Sequence, residues 1–85
     1  MTQPRHVTLL TRKSCHLCDD ARGVVIQAAA VTGAGWSERD VDTDPELRAE
    51  YGDRVPVVLV DGVEHAHFTV DEPRLRAALT RRSGN

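Results

Sequence analysis

The chain has 85 residues, of which 28% are charged, and its formal net charge is −2. This length fits one domain, which we assign to residues 1–85 as a whole. The near-neutral charge gives no reason to expect nucleic acid or an anionic membrane as a partner. No apolar run approaches the roughly 20 residues that a membrane span needs.

The first half of the chain predicts a strand, a helix and a second strand. Residues 6–11 are β-branched and aliphatic, which is typical of a strand. Over residues 15–32, small and apolar side chains recur at the helical spacing of three and four. They are Cys18, Ala21, Val25, Ala28, Ala29 and Thr32. Gly33 and Gly35 predict the end of this helix, and residues 36–42 predict a polar second strand.

A second helix is predicted by its end signals. Asp44 can cap the first amides, Pro45 suits the first helical position, and Gly52 suits the position after the last turn. The aliphatic run that follows Pro56 then predicts a third strand.

The last part of the chain predicts a hairpin and a third helix. Asp61-Gly62 lies between apolar residues, so residues 57–60 and 63–67 should pair antiparallel. A helix should begin at Asp71, and residues 81–85 should form a frayed tail. The expected order of elements is β-α-β-α-β-β-α, with helices on both faces of a four-stranded sheet.

Two cysteines, Cys15 and Cys18, lie three residues apart where the first strand gives way to the first helix. Unpaired amides and the helix dipole make this position favourable for an anion. Cys15 should therefore have a lowered thiol pKa, with Arg12 and Lys13 adding positive charge nearby. The same charge favours an anionic substrate, so Arg12 and Lys13 are also candidate substrate-binding residues. Cys18 lies one turn further on, on the apolar face, so it should be less exposed and less ionised.

This asymmetry predicts a division of labour in disulfide exchange. Cys15 would attack a substrate disulfide as the thiolate, and Cys18 would resolve the mixed disulfide, which leaves the two cysteines joined. The simplest alternative is that the two cysteines are buried or incidental and have no chemical role. Ser14 and His16 are candidate modulators of the pair, although a solvent-facing role in the first helical turn suits His16 equally well.

A zinc site is the sharper alternative, because two cysteines supply half of a tetrahedral ligand set. His16, His65 and His67 are the candidates for the other half. His65 and His67 lie two apart in a predicted strand, so both rings should point to one face. A structural zinc site usually adds a second close-spaced pair on a turn, and exposure on an edge strand explains these histidines more simply.

The segments "CHLC", "VDTDPELRAEYGDRVPVVLVDG" and "FTVDEPRL" together resemble small glutaredoxin-like proteins of the thioredoxin-fold superfamily. The resemblance covers nearly the whole chain. It implies an α/β, thioredoxin-like fold of the glutaredoxin type, with a four-stranded mixed sheet flanked by three helices. It also implies that Cys15 is the nucleophile, that Cys18 is the resolving cysteine, and that Pro56 is a cis-proline facing them. The backbone of Val55 would then pair with the substrate backbone as an added strand does.

The chain departs from the family pattern in two places. His-Leu stands between the cysteines, where glutaredoxins commonly have Pro-Tyr. The Gly-Gly pair that precedes the last helix in glutathione-binding members is absent, and Phe68 and Thr69 lie in that region. Asp71 and Glu72 then occupy the first turn of the last helix, where they would compete with a bound carboxylate, although two acids there are equally typical of an ordinary helix start. These differences predict weak use of glutathione.

The expected function is that of a thiol–disulfide oxidoreductase, which reduces protein or small-molecule disulfides with its CxxC dithiol. We expect it in the cytoplasm, because no secretory signal is recognisable at the start of the sequence, and we expect a monomer. It would need no cofactor and no bound metal. A dithiol reductase system or a low-molecular-weight thiol would reduce its disulfide after each reaction. The alternative is a non-catalytic module that binds a metal or docks a partner through the same cysteines.

Overall fold

The computed structural model of the protein describes residues 5–80, so the predicted tail at 81–85 lies outside the described part. The elements are β1 (His6–Thr11), α1 (His16–Thr32), β2 (Gly35–Asp40), a short 3-10 helix (Val41–Thr43), α2 (Pro45–Tyr51), β3 (Val57–Val60), β4 (Val63–His67) and α3 (Glu72–Thr80). The predicted order β-α-β-α-β-β-α is confirmed. None of the helices formed by residues 5–80 is long and apolar enough to cross a membrane.

The four strands form one mixed sheet in the order β2-β1-β3-β4. β1 pairs with β2 in parallel, and β3 pairs antiparallel with both β1 and β4. The parallel pair requires a crossover connection, which α1 supplies. β2 and β4 are therefore the edge strands, and the buried strands β1 and β3 lie at the centre.

The two central strands bury side chains on both faces of the sheet, because neighbouring residues of a strand point to opposite sides. One face packs against α1 and α3 and forms the larger core cluster, made of Val7, Leu9, Ala21, Val25, Ala28, Val58, Leu75 and Leu79. The other face forms a smaller cluster of Leu10, Val41, Val57 and Leu59, which Leu47 and Tyr51 of α2 partly cover. The prediction of helices on both faces is confirmed.

The helix ends follow their sequence signals closely. Cys15 is the N-cap of α1, so the helix itself begins one residue later than predicted, and Gly33 ends it in the left-handed conformation at φ 76°. The Asp44 side chain accepts hydrogen bonds from the first amides of α2, as predicted. Gly35 does not contribute to the end of α1, because it is the first residue of β2.

The second strand is shorter than the predicted range of 36–42. It ends at Asp40, whose side chain accepts a hydrogen bond from the Asp42 amide and so begins the 3-10 helix. Local side-chain bonding of this kind competes with a sheet ladder. Val41, the first residue of the 3-10 helix, is buried in the smaller core cluster.

The hairpin forms at Asp61-Gly62 as predicted, with both residues at positive φ, 52° and 85°. The shift in register between β3 and β4 was not predicted. Ala66 pairs with Val58 while Glu64 pairs with Leu59, so His65 is the additional residue of a β-bulge. The simple strand alternation on which the prediction for His65 and His67 depended is therefore interrupted at His65.

Candidate active site

Cys15 and Cys18 form a disulfide at the N-terminus of α1, with their Cα atoms 5.2 Å apart. The Cys18 amide donates a hydrogen bond to the Cys15 sulfur over 3.2 Å. The Cys15 sulfur thus accepts a hydrogen bond from one of the amides that a helix start leaves without an intrahelical partner. The arrangement favours negative charge on Cys15 over negative charge on Cys18.

The two sulfur-bearing residues differ in exposure. Cys15 is partly exposed, whereas Cys18 is 1% exposed and lies on the buried face of α1. The prediction that Cys18 is the less accessible residue is confirmed. A molecule that approaches from solvent therefore reaches Cys15 first.

The loop before the disulfide makes a tight turn at Ser14, which is a non-glycine residue at φ 60°. This left-handed conformation reverses the chain between Lys13 and Cys15. Bulky side chains adopt it only at an energetic cost, whereas short polar side chains tolerate it. His16 and Leu17, which lie between the cysteines, are both exposed, and Leu17 is 45% exposed.

Arg12 is engaged in contacts that its sequence position did not reveal. Its guanidinium donates to both carboxylate oxygens of Asp42, at 3.0 and 2.9 Å, and to the Gly52 carbonyl at 3.2 Å. The hydrogen bonds to Asp42 raise the Arg12 pKa above its ordinary value. Arg12 therefore ties the loop before Cys15 to the 3-10 helix and to the end of α2.

A cavity of about 550 Å³ opens beside the disulfide. It brings together six of the residues that the sequence singled out, namely Arg12, Lys13, Ser14, Cys15, His16 and Cys18. Another part of its wall is built by Arg22 of α1 and by Glu38 and Asp40 of β2. Sequence reasoning missed this wall, because only the parallel pairing of β1 with β2 brings residues this far apart along the chain together.

Val55 and Pro56 lie outside that cavity, in the segment that leads into β3. The bond between them is cis, as predicted, and Pro56 is buried. β3 runs antiparallel to β1 with Val57 opposite Leu10, so the next position places Pro56 beside Thr11. Val55 and Pro56 therefore lie at the same end of the sheet as the loop that carries Cys15.

A second, smaller groove of about 120 Å³ runs along the other side of α1. Its apolar lining comes from Leu17, Val24, Phe68 and Val70. Phe68 occupies a left-handed conformation at φ 65°, and its amide donates to the Pro56 carbonyl over 2.9 Å. The segment that replaces the missing Gly-Gly pair is thus attached directly to the cis-proline.

The described residues offer no ligand set for the zinc site that was considered as an alternative. Within residues 5–80, no group of three or more His, Cys, Asp or Glu side chains is placed to hold a metal ion. His67 bonds to the Glu64 carboxylate over 3.1 Å instead. Burial lowers the pKa of His65, and the nearby charge of Arg74 lowers it further.

A mixed four-stranded sheet flanked by three helices, with a CxxC pair at the start of the first helix, defines a thioredoxin fold with a redox-type site. The solved structures that resemble this chain are consistent with that fold. A mutant thioredoxin from Halobacterium salinarum is 27% identical with a TM-score of 0.65, and the match covers 91% of this chain and 73% of that one. The protein Ne2328 from Nitrosomonas europaea is 25% identical with a TM-score of 0.79, and the match covers 93% of this chain and 95% of that one.

The chain belongs to the family described as Glutaredoxin-like domain (DUF836), which it matches over residues 6–80. The uncharacterized protein Rv0508 of Mycobacterium tuberculosis is 43% identical over 86 residues, which covers 95% of this chain and 88% of that protein. A structural genomics target from X. campestris, XcR50, is 38% identical with a TM-score of 0.70, and covers 86% of this chain and 93% of its own.

Proposed function

We propose that this protein is a thiol–disulfide oxidoreductase, in which Cys15 is the nucleophile and Cys18 the resolving cysteine. The observation that carries the proposal is the difference between the two residues. Cys15 is partly exposed at the N-cap of α1 and accepts a helix amide, whereas Cys18 is buried. A thiolate is the attacking species in disulfide exchange, and this position favours a thiolate.

The reaction begins with the reduced dithiol. The Cys15 thiolate attacks one sulfur of the substrate disulfide, and the other sulfur leaves as a thiolate that takes up a proton. Cys18 then loses its proton and attacks the Cys15 sulfur, which releases the second substrate thiol. Two electrons pass from the dithiol to the substrate, and the enzyme is left with the Cys15–Cys18 disulfide.

The segment around Val55 supports an extended polypeptide as substrate. No backbone hydrogen bond engages Val55 within the described residues 5–80, so its amide and carbonyl are available to pair. A peptide that pairs with an exposed backbone segment gains main-chain hydrogen bonds, as an added strand does. The neighbouring Pro56 contributes no N–H group of its own.

The electron donor would be a dithiol reductase system rather than glutathione. The apolar groove beside α1 carries Phe68 where glutathione-binding relatives have glycine, and this residue is 46% exposed. A peptide backbone could not approach this segment as closely as it approaches glycine. Lys13 and Arg12 remain candidate contacts for an anionic substrate on the other side of the disulfide, although Arg12 is bonded to Asp42.

The experiment is a trapping assay with two single variants. Cys18→Ser should form a stable mixed disulfide with a substrate protein, because the nucleophile remains and the resolving thiol is absent. Cys15→Ser should trap none and should lose all reductase activity. The double variant Cys15→Ser/Cys18→Ser is the matched control for thiol-independent association. Equal trapping by the two single variants would show that the assigned order is wrong.

Titration of the thiols separates catalysis from simple binding. We expect the Cys15 thiol to titrate clearly below the ordinary value of about 8.5. An ordinary value, together with zinc bound at one ion per chain, would favour the non-catalytic module instead.

A further inference from the structure

A charged cluster lines the larger cavity together with the cysteines. We call Thr11, Asp19, Arg22 and Glu38 the Arg22 cluster. Arg22 donates to both carboxylate oxygens of Glu38, at 2.6 and 2.8 Å, and to Asp19 at 2.8 Å. Thr11, which is 4% exposed, donates its hydroxyl to Glu38 over 3.1 Å. The cluster thus joins β1, α1 and β2 beside the disulfide.

The charges of this cluster do not cancel. Arg22 carries one positive charge, whereas Asp19 and Glu38 carry one negative charge each, so the cluster is negative overall. The hydrogen bonds from Arg22 hold the Glu38 pKa below its ordinary value, so Glu38 is ionised at neutral pH. All three side chains line the same cavity as Cys15 and Cys18.

The other charged groups around the cavity come from the loop before Cys15, from α1 and from β2. Arg12 is compensated by Asp42. Lys13 and Asp40 are opposite in sign, and His16 lies at the helix start. The Arg22 cluster is therefore the main source of net charge in the lining of this cavity.

We propose that Glu38 and Arg22 are positioning residues that set the redox poise of the cysteine pair with opposite signs. Glu38 offsets the charge of Arg22 and makes the pair more reducing, whereas Arg22 alone would make it more oxidising. Neither residue needs to touch the substrate. The inference rests on the proposed function for its biological meaning, although the thiol chemistry that it predicts can be measured without a substrate.

The physical basis is the charge of the reduced state. The disulfide is neutral, whereas the reduced pair carries a thiolate on Cys15 once the pH exceeds the pKa of that thiol. A negative neighbour destabilises the thiolate, so it raises the thiol pKa and favours the disulfide. A positive neighbour does the opposite, and a pair whose reduced form is stabilised is a stronger oxidant.

Two variants, each of which replaces one charged side chain with a neutral polar one, separate this effect from a structural one. Glu38→Gln removes a negative charge and leaves Arg22 less compensated, so the Cys15 pKa should fall and the pair should become more oxidising. Arg22→Gln leaves Glu38 and Asp19 uncompensated, so the Cys15 pKa should rise and the pair should become more reducing. One charge in a partly solvated cleft should change the equilibrium constant with a dithiothreitol redox buffer by about two- to fivefold.

The measurements are the thiolate absorbance of Cys15 against pH and the equilibrium with dithiothreitol. The difference in equilibrium constant should vanish below the pKa of Cys15, where the reduced pair is uncharged. The double variant Arg22→Gln/Glu38→Gln should lie between the two single variants.

A matched control is available at the other end of the sheet. Arg5 and Asp61 form an ion pair of similar exposure at 2.8 Å. Arg5→Gln and Asp61→Asn should leave the Cys15 pKa and the equilibrium constant with dithiothreitol unchanged. Shifts in the same direction for Glu38→Gln and Arg22→Gln, or no shift in either, would overturn the inference. Absence of reductase activity in the parent protein, with the predicted opposite shifts intact, would instead count against the proposed function alone.

Discussion

Phe68 provides a test of how the segment before α3 is built. It is an aromatic residue at φ 65°, a conformation that glycine adopts freely and that costs an L-residue about 1–2 kcal/mol. We compare two truncations, Phe68→Ala and Phe68→Gly. Both variants remove the ring, but only Phe68→Gly relieves the backbone strain of the positive φ.

The magnitudes follow from the burial of the ring. Phe68 is 46% exposed, so about 100 Å² of its side chain leaves water on folding, which contributes about 2–3 kcal/mol. Phe68→Ala should lose most of this contribution. Phe68→Gly should be more stable than Phe68→Ala by about 0.5–1 kcal/mol, because the relief of strain exceeds the added flexibility of the unfolded chain.

The assay is urea unfolding of the oxidised protein, with Val63 as the control position. Val63 is 70% exposed in β4 and does not have a positive φ. There the order should reverse, since Val63→Gly should be less stable than Val63→Ala by about 0.5–1 kcal/mol. If Phe68→Gly were as unstable as Phe68→Ala or less stable still, the assignment of backbone strain to Phe68 would be refuted.

The same variant tests the choice of electron donor. Phe68→Gly opens the segment beside Pro56 to close approach, so its kcat/KM in a glutathione-coupled assay should rise above that of the parent protein. The parent protein should use a dithiol donor better than glutathione at matched pH and salt. Glutathione rates in the parent that equal or exceed those with the dithiol would show that Phe68 leaves the groove open.

Two further predictions concern the loop and the Arg22 cluster. Ser14→Val should lower the free energy of unfolding by about 1–2 kcal/mol, because a β-branched residue fits φ 60° poorly, whereas Ser14→Gly should be nearly neutral in urea unfolding. A near-neutral Ser14→Val would show that the turn relaxes readily. The lowered pKa of Glu38 should stabilise the fold above its unfolded-state value of about 4.3, and this stability should be lost as the pH falls through the lowered value. Glu38→Gln should therefore flatten the dependence of Tm on pH between about pH 2 and pH 5, and parallel curves for the two proteins would contradict this.

The sequence predicts the parts of this fold whose signals are local. The Asp61-Gly62 turn needs positive φ at both residues, and few dipeptides supply it. The Asp44 cap and Pro45 define the start of α2 within two residues. The burial of Cys18 follows from its place on one face of a 17-residue helix.

The parts that sequence reasoning missed depend on residues far apart in the chain. The partners of Arg12 lie 30 and 40 residues further on, and no local spacing connects them. The Arg22–Glu38 pair arises only once β1 and β2 are in register. The bulge at His65 likewise comes from the pairing of β4 with β3 rather than from the strand's own pattern.

The short helix α2 has a consequence for the motions of the molecule. It is seven residues long and has no fully buried side chain, so it is fastened mainly by its cap and by partial packing of Leu47 and Tyr51. Segments with so little burial open locally at a much lower free energy than the whole fold. Because Arg12 bonds to the Gly52 carbonyl at the end of α2, each such opening also frees one anchor of the loop that carries Cys15. Amide hydrogen exchange in α2 would thus report on the freedom of the cysteine loop.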